Sequence, residues 1–393
     1  MTTKAQRAEH EAILLEVTGL PTAAGHEDRV IDWIRAWVDR RRSLRLTTDR
    51  AGNLFIRHVD AAHHDDPPIL VTAHLDHPAF VVRRIIDDRT VELEFRGGVH
   101  DPYFDGAAVQ IMTSTDDTMN GRIVELDADA KPFKRVTVTT TRTTASIRPG
   151  DIGGWSFRGR GQTPVIHEDR LHAPACDDLA AVAAALSMLD ITRRRKGRSN
   201  VGVLFTRAEE IGFIGALAAC HLRSIPKASR LICLENSRSY AESPIGGGPI
   251  LRVGDKMSVF DPRLTNRIGS IMHAHAAKHA DVRWQRRLMP GGTCEATAFS
   301  AHGYQSTCLC LPLGNYHNMA DIDGVATGKR PARVRPEVIS VSDYHGLIDM
   351  LLVVTERLDD DRVTSIDDRL SALLEKHGSI VGIEHSGTGT QQR

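Results

Sequence analysis

Four short apolar runs in this chain each lead into residues of a kind that bind metal ions. Ile69-Leu-Val-Thr-Ala73 stops at His74-Leu-Asp76, and Val201-Gly-Val-Leu-Phe205 opens into Thr206-Arg-Ala-Glu-Glu-Ile-Gly212. Arg230-Leu-Ile-Cys-Leu234 stops at Glu235, and Ser306-Thr-Cys-Leu-Cys-Leu311 is followed by Pro312 and a loop holding His317. Runs of this length read as buried strands. Helical segments lie between them, which predicts an α/β fold with a mainly parallel sheet flanked by helices. Ligands of such sheets gather beyond the carboxyl ends of the strands. His74, Glu209, Glu210 and Glu235 fall there, with His317 one loop further on. Asp177 stands at a helix start, in Cys176-Asp-Asp178.

Each residue alone has a plainer reading. A strand-end histidine is more often a core or surface histidine, Asp76 could be a turn residue, and acids favour a helix N-terminus. Their joint placement argues otherwise. Adjacent carboxylates such as Glu209 and Glu210 repel in a cleft unless cations or protons are present. Imidazoles and carboxylates without cysteine suit zinc, cobalt or manganese. Two histidines and several acids are enough for two ions sharing a carboxylate.

The texture of the chain divides it. Residues 1–78 read as the first part of a catalytic domain. They hold amphipathic helices near Lys4–Val17 and along Val30–Val38, then a turn at Asp49-Arg-Ala-Gly-Asn53 between two short strands. From 79 to 165 only short β runs occur: Val81-Val82, Val91–Phe95, Val109–Met112, Arg122–Leu126 and Val136–Thr140. That predicts an inserted small β-barrel-like domain. Residues 166–385 read as the second part of the catalytic domain, with helices expected over Leu179–Leu189, Ile214–Leu222, Thr265–Lys278, Ser342–Leu358 and Ile366–Leu374. Residues 386–393 read as a flexible tail.

Composition excludes some partners. Lys+Arg and Asp+Glu are each 50 of 393 residues, and aromatics are 5%, so no nucleic acid is expected as a partner. No run is long enough to span a membrane and no signal-peptide core precedes the first helix, so no membrane partner is expected. Six scattered cysteines fit a reducing cytoplasm. Cys308 and Cys310 share a strand face and read as buried thiols, while Cys176 and Cys294 flank site segments. The Arg193–Arg198 basic run reads as a helix end, His63-His64-Asp65-Asp66 as a solvated loop, and Gly246-Gly-Gly248 as a loop near the substrate.

The order His74-Leu-Asp76, Asp177-Asp178, Glu209-Glu210-Ile-Gly212, Glu235, His317 resembles the cocatalytic zinc exopeptidases. With the β insert between His74 and Asp177, it is similar to the tetrahedral (TET) and glutamyl aminopeptidase family. Gly97-Gly98, Arg148-Pro-Gly-Asp-Ile152 and Gly291-Gly-Thr293 also match. The resemblance implies two divalent metal ions, most often zinc. It implies His74 and Glu235 as ligands of one ion, Glu210 and His317 of the other, and Asp177 as the bridge. It assigns Glu209 as general base and Asp76 as the residue that orients His74, with a cis peptide after Asp177. The family usually has Asp where this chain has Glu235, Arg where it has Leu179, and Thr-Asp where it has Thr293-Cys294.

The implied activity is hydrolysis of amide bonds in short peptides, as an aminopeptidase. Glu235 leaves open a carboxypeptidase or a deacylase acting on N-acyl amino acids. A non-catalytic metal-containing binding protein is the reading from another class, disfavoured by retention of Glu209. The resemblance also implies a homo-oligomer, from a dimer up to a dodecamer, with Val81-Val82 and Ile85-Ile86 as apolar candidates for contact.

Overall fold

The computed structural model describes residues 2–60, 67–157, 161–194 and 200–383. The His63–Asp66 loop, Arg195, Lys196 and Arg198 of the basic run, and the tail from Ser386 lie outside the described residues.

Helices α1 (Lys4–Val17) and α2 (Asp28–Asp39) come first. Thr3 and Gln6 form a capping box that closes the start of α1, satisfying amides that the first turn leaves free. Val30, Ile31, Ile34, Trp37 and Val38 are the buried face of α2. Strands β1 (Leu44–Thr48) and β2 (Leu54–His58) form a hairpin. Its turn is tied by the Asp49 carboxylate, which accepts from the Ala51 and Asn53 amides. Strand β3 (Ile69–His74) is buried along its whole length.

The insert follows as β4 (Ala79–Ile85), β5 (Thr90–Arg96), β6 (Ala108–Met112), β7 (Thr118–Asp127), β8 (Lys134–Thr140) and β9 (Ile152–Trp155). They close an antiparallel barrel in the order β4-β5-β8-β7-β6-β9. Gly121 lies against β8, where an added Cβ would meet a Val138 methyl at 2.5 Å. Val81 and Val82 are buried in the chain itself, while Ile85 and Ile86 are exposed. Of the apolar pairs expected to offer contact, only the second is therefore free to do so.

Next come β10 (Val165–His167), β11 (Arg170–Ala173), α3 (Leu179–Thr192), β12 (Val201–Thr206), α4 (Ile214–His221) and β13 (Arg230–Arg238). Then β14 (Ile250–Arg252), α5 (Pro262–Ala276), β15 (Gln285–Arg287), α6 (Glu295–Ala301) and β16 (Gln305–Leu313). The last are β17 (Met319–Ala320), α7 (Ile322–Ala326), β18 (Arg333–Val334), β19 (Glu337–Ser340), α8 (Val341–Arg357) and α9 (Ile366–His377). The hairpin of β10 and β11, which pairs with β19, is too short to show a period in sequence. Helix α5 starts three residues before its expected Thr265. Pro262 fits its first turn and Asp261 caps it by accepting from the Leu264 amide, the arrangement that suits a helix start.

The main sheet runs β1-β2-β12-β3-β13-β16-β14-β15. Its centre is parallel: β12 on β3, β3 on β13, and β13 on β16. One face carries α1, α2, α3, α5 and α8 over a large apolar core. The other carries α4 and α6 over a smaller core that includes Cys233, Cys294, Cys308 and Cys310. Every residue of α3 is buried, which its Ala-rich sequence permits at close range. Among the described residues no helix is long and apolar enough to cross a membrane.

Candidate metal centre

The parallel register brings the strand ends together. Thr206 of β12 pairs with His74 of β3, so Glu209 and Glu210 follow directly beside His74. Glu235 emerges two residues after Cys233, which pairs with Thr72 of β3. His317 arrives from the loop after β16, and Asp177 from the turn before α3.

His74 is 1% exposed. Its Nδ1 lies 3.1 Å from the Asp76 carbonyl oxygen. A carbonyl only accepts, so Nδ1 carries the proton and the Nε2 lone pair is left for a ligand role. That Nε2 lies 3.4 Å from Asp177 Oδ1, 3.8 Å from Glu235 Oε1 and 3.9 Å from Glu209 Oε2. His317 repeats the pattern. Its Nδ1 donates to the Gly98 carbonyl at 2.6 Å, a contact supplied by the insert. Its Nε2 lies 3.4 Å from both Asp177 Oδ2 and Glu210 Oε1. The two oxygens of Asp177 thus face different imidazoles.

Three groups bring possible ligand atoms within 4.8 Å of one another: His74 with Asp177, Asp178 and Glu235; His74 with Glu209 and Glu210; and Asp177 with Glu210 and His317. The residues fit a cation. Asp177 Oδ1 is buried without a hydrogen-bond donor among the described residues, and buried acceptors ordinarily have one.

Electrostatics point the same way. Burial raises Glu209 well above the usual carboxylate range, with Glu235 and Glu210 adding to it against the opposing charge of His74. Burial also raises Glu210 to about 8, and it raises Glu235. Burial would lower His317, but Glu210 and Asp177 push it up to about 10. His74 is likewise raised despite burial, by Glu209, Asp177, Asp76 and Glu235. Burial would raise Asp177, but the neighbouring imidazoles of His317 and His74 hold it far down. Crowded acids that retain protons are groups whose protons a cation can replace.

Asp76 has more than one contact. Its carboxylate lies 3.6 Å from His74 Nδ1, longer than the bond that the ring makes to the Asp76 carbonyl. The same carboxylate accepts from the amides of Glu209 at 2.9 Å and Glu210 at 3.0 Å. The carboxylate of Asp76 thus fixes the acidic pair, while its carbonyl orients the His74 ring. The Asp177–Asp178 peptide bond is cis.

Residues missed in sequence hold this geometry. Glu337, at the start of β19, accepts from the Cys176 and Asp177 amides with Oε2 at 2.7 and 2.9 Å, and from the His317 amide with Oε1 at 2.8 Å. Asp178 accepts from the His74 amide and from Asn236 Nδ2. His77, lowered by burial to about 4, joins the Asp177 carbonyl to Asn318. Glu337 and His77 belong to no motif, and only the Asp-Asp pair drew attention to Asp178.

Other sequence candidates have partners of their own. All six cysteines are free and buried, and no metal-ligand group among the described residues contains one. Arg193 and Arg194 pair with Asp190. The Gly246 and Gly248 amides donate to Asp343, so that loop is tied to α8. Gly291, Gly292 and Thr293 line a small cleft beside Glu235, with Arg252 and Tyr316.

The M42 glutamyl aminopeptidase family model matches residues 52–330. No curated protein matches the chain in sequence. Among solved structures, an aminopeptidase from Desulfurococcus kamchatkensis superposes with a TM-score of 0.69 at 18% identity, covering 92% of this chain and 99% of that one. A TET aminopeptidase from a marine-sediment Thaumarchaeota archaeon gives 0.70 at 17%, with 90% and 99% covered. The Pyrococcus horikoshii TET1 peptidase, described as assembling into a tetrahedron or a large octahedral shell, gives 0.68 at 16%, with 88% and 99% covered. At these identities the likeness is one of fold.

Proposed function

We propose that the chain, which belongs to the M42 glutamyl aminopeptidase family and is a metallopeptidase, removes the first residue of short peptides at a centre of two divalent ions, zinc before cobalt or manganese. The observation that carries this reading is Asp177, whose two oxygens each lie 3.4 Å from a different imidazole. His74 and Glu235 would hold one ion and Glu210 and His317 the other, with Asp177 standing between the two sets. Bound ions supply Lewis acidity and lower the pKa of water. Glu209, assigned to neither ion, takes the proton of the attacking water on a carboxylate oxygen and passes it to the leaving amine. Asp76 holds the amides that aim Glu209 and Glu210.

Glu235, where the family usually has Asp, favours as second reading a carboxypeptidase or a deacylase of N-acyl amino acids. A non-catalytic binding role is less well supported, because such a role needs no carboxylate placed as Glu209 is. The buried free cysteines support a cytoplasmic location. Homo-oligomers, from dimers to dodecamers, are supported by the fold shared with the P. horikoshii peptidase and by apolar Ile85 and Ile86 on the barrel surface.

Protein purified without chelator and reloaded with zinc should hold about two ions per chain by elemental analysis. A value that stays well below one overturns the reading. A screen of free, N-acylated and C-terminally blocked short peptides should find cleavage only where the N-terminal amine is free. Cleavage of the N-acylated peptides instead selects the deacylase, and of the C-terminally free ones alone the carboxypeptidase.

A further inference from the structure

Four consecutive amides lead into the acidic pair, and each donates to a side chain. The Arg207 amide donates to Asn53 Oδ1 at 3.1 Å, and the Ala208 amide to Glu27 Oε1 at 2.9 Å. The Glu209 and Glu210 amides donate to the two Asp76 oxygens. Ala208 has φ +53°, a left-handed conformation that is unfavourable for a non-glycine residue. Such a conformation persists only where its surroundings over-determine it.

Glu27 contributes to that determination from two sides. It is fully buried. Its Oε1 also accepts from the Gly25 amide at 2.8 Å. Its Oε2 takes Arg207 Nε at 2.8 Å and Nη2 at 2.7 Å. One carboxylate therefore clamps both the backbone of Ala208 and the side chain of Arg207. The carboxylate of Asp76 presses against it electrostatically, and the Arg207 guanidinium offsets that repulsion. Nothing in the sequence around Glu27 signals this, because Arg207 and Ala208 lie about 180 residues away.

We propose that Glu27 is a positioning residue for the reaction: it holds the left-handed turn at Ala208 that aims Glu209 at the water. This rests on the reading of Glu209 as the base. Glu27→Gln keeps an oxygen for the Ala208 amide but turns an NH2 group towards the Arg207 donors. The expected result is a kcat fall of roughly 10- to 100-fold, the cost of a small misplacement. KM should stay within about twofold and metal content per chain should be unchanged. Adding Ala208→Gly should restore part of the lost kcat, since glycine adopts this φ without strain. Amide hydrogen exchange of metal-free protein should show faster exchange at Ala208, Glu209 and Glu210 in Glu27→Gln. Ala208→Val provides the same test without touching Glu27, because a β-branched residue resists positive φ.

Parental kcat in Glu27→Gln overturns the proposal. So does a loss of kcat, metal and thermal stability together that Ala208→Gly leaves unrepaired. Where Glu27→Gln fails to fold, parental kcat in Ala208→Val overturns it. Glu209→Gln, measured alongside, separates the two ideas: parental rate there removes the base assignment itself, whatever Glu27 does.

Discussion

Inside the barrel, Phe80, Phe95, Phe104 and Trp155 meet with ring centroids 4.8 to 6.2 Å apart, surrounded by aliphatic side chains. At the carboxyl rim of the sheet, two imidazoles are packed among Asp76, Asp177, Asp178, Glu209, Glu210 and Glu235, all nearly or fully withdrawn from water. Both regions are buried, but for opposite reasons. The barrel gains from removing apolar surface, at about 25 cal/mol per Å². The rim gathers charges whose burial is unfavourable unless each is paired. The barrel also contributes to the rim through the Gly98 carbonyl beside His317. Stability and chemistry are therefore separated in space, and substitutions should separate them too.

The largest effect belongs to the barrel. Phe104→Ala, at a fully buried site, should cost ~3–5 kcal/mol of stability in denaturant unfolding. Zinc bound per folded chain should stay unchanged. A loss of zinc without a loss of stability would break the separation. At the rim the expectation reverses. Glu209→Gln keeps shape and should lower turnover by ~10²-fold or more, while the unfolding midpoint moves little; parental turnover would remove Glu209 from its role.

The smallest effect comes from a third kind of buried polar group. His10 is 1% exposed, and among the described residues neither ring nitrogen has a hydrogen-bond partner. His74 is pushed up by acids, whereas burial and His345 push His10 down to about 4. The unfolded chain then takes up a proton that the folded chain refuses. The stability due to a neutral His10 is complete above about pH 6.5 and is lost as pH falls towards 4, on the order of 1–3 kcal/mol. His10→Leu should flatten stability over that interval in unfolding curves taken at several pH values. An unchanged slope would mean that the ring stays hydrated.

How much of this was legible in the sequence follows from the range of each contact. His74, Glu209, Glu210 and Glu235 could be read because each follows an apolar run, and a parallel sheet aligns such ends. The barrel could be read from its alternating runs, and β5 shows the alternation directly in its burial. Glu337 could not, since it acts on amides 160 and 20 residues away and no local pattern marks an acid as a clamp. The same holds for Glu27 and for His77. Asp76 was legible as a neighbour of His74, but its grip on the Glu209 and Glu210 amides depends on how β12 lies against β3. What a strand end offers is written locally. What holds it still is written elsewhere in the chain.

Glu337 also sets an order in time. It binds the amides of Cys176, Asp177 and His317, yet it is made after all of them. From His74 to Glu337 is roughly 260 residues, on the order of 13–50 s of translation at about 5–20 residues per second. The barrel strands are made between residues 79 and 155, yet their core also waits for Met319, which is buried among them. His74, Glu209, Glu210 and Glu235 leave the ribosome before the clamp that fixes Asp177 and His317 exists. The centre can therefore be finished only after β19 has been made and has paired with β11.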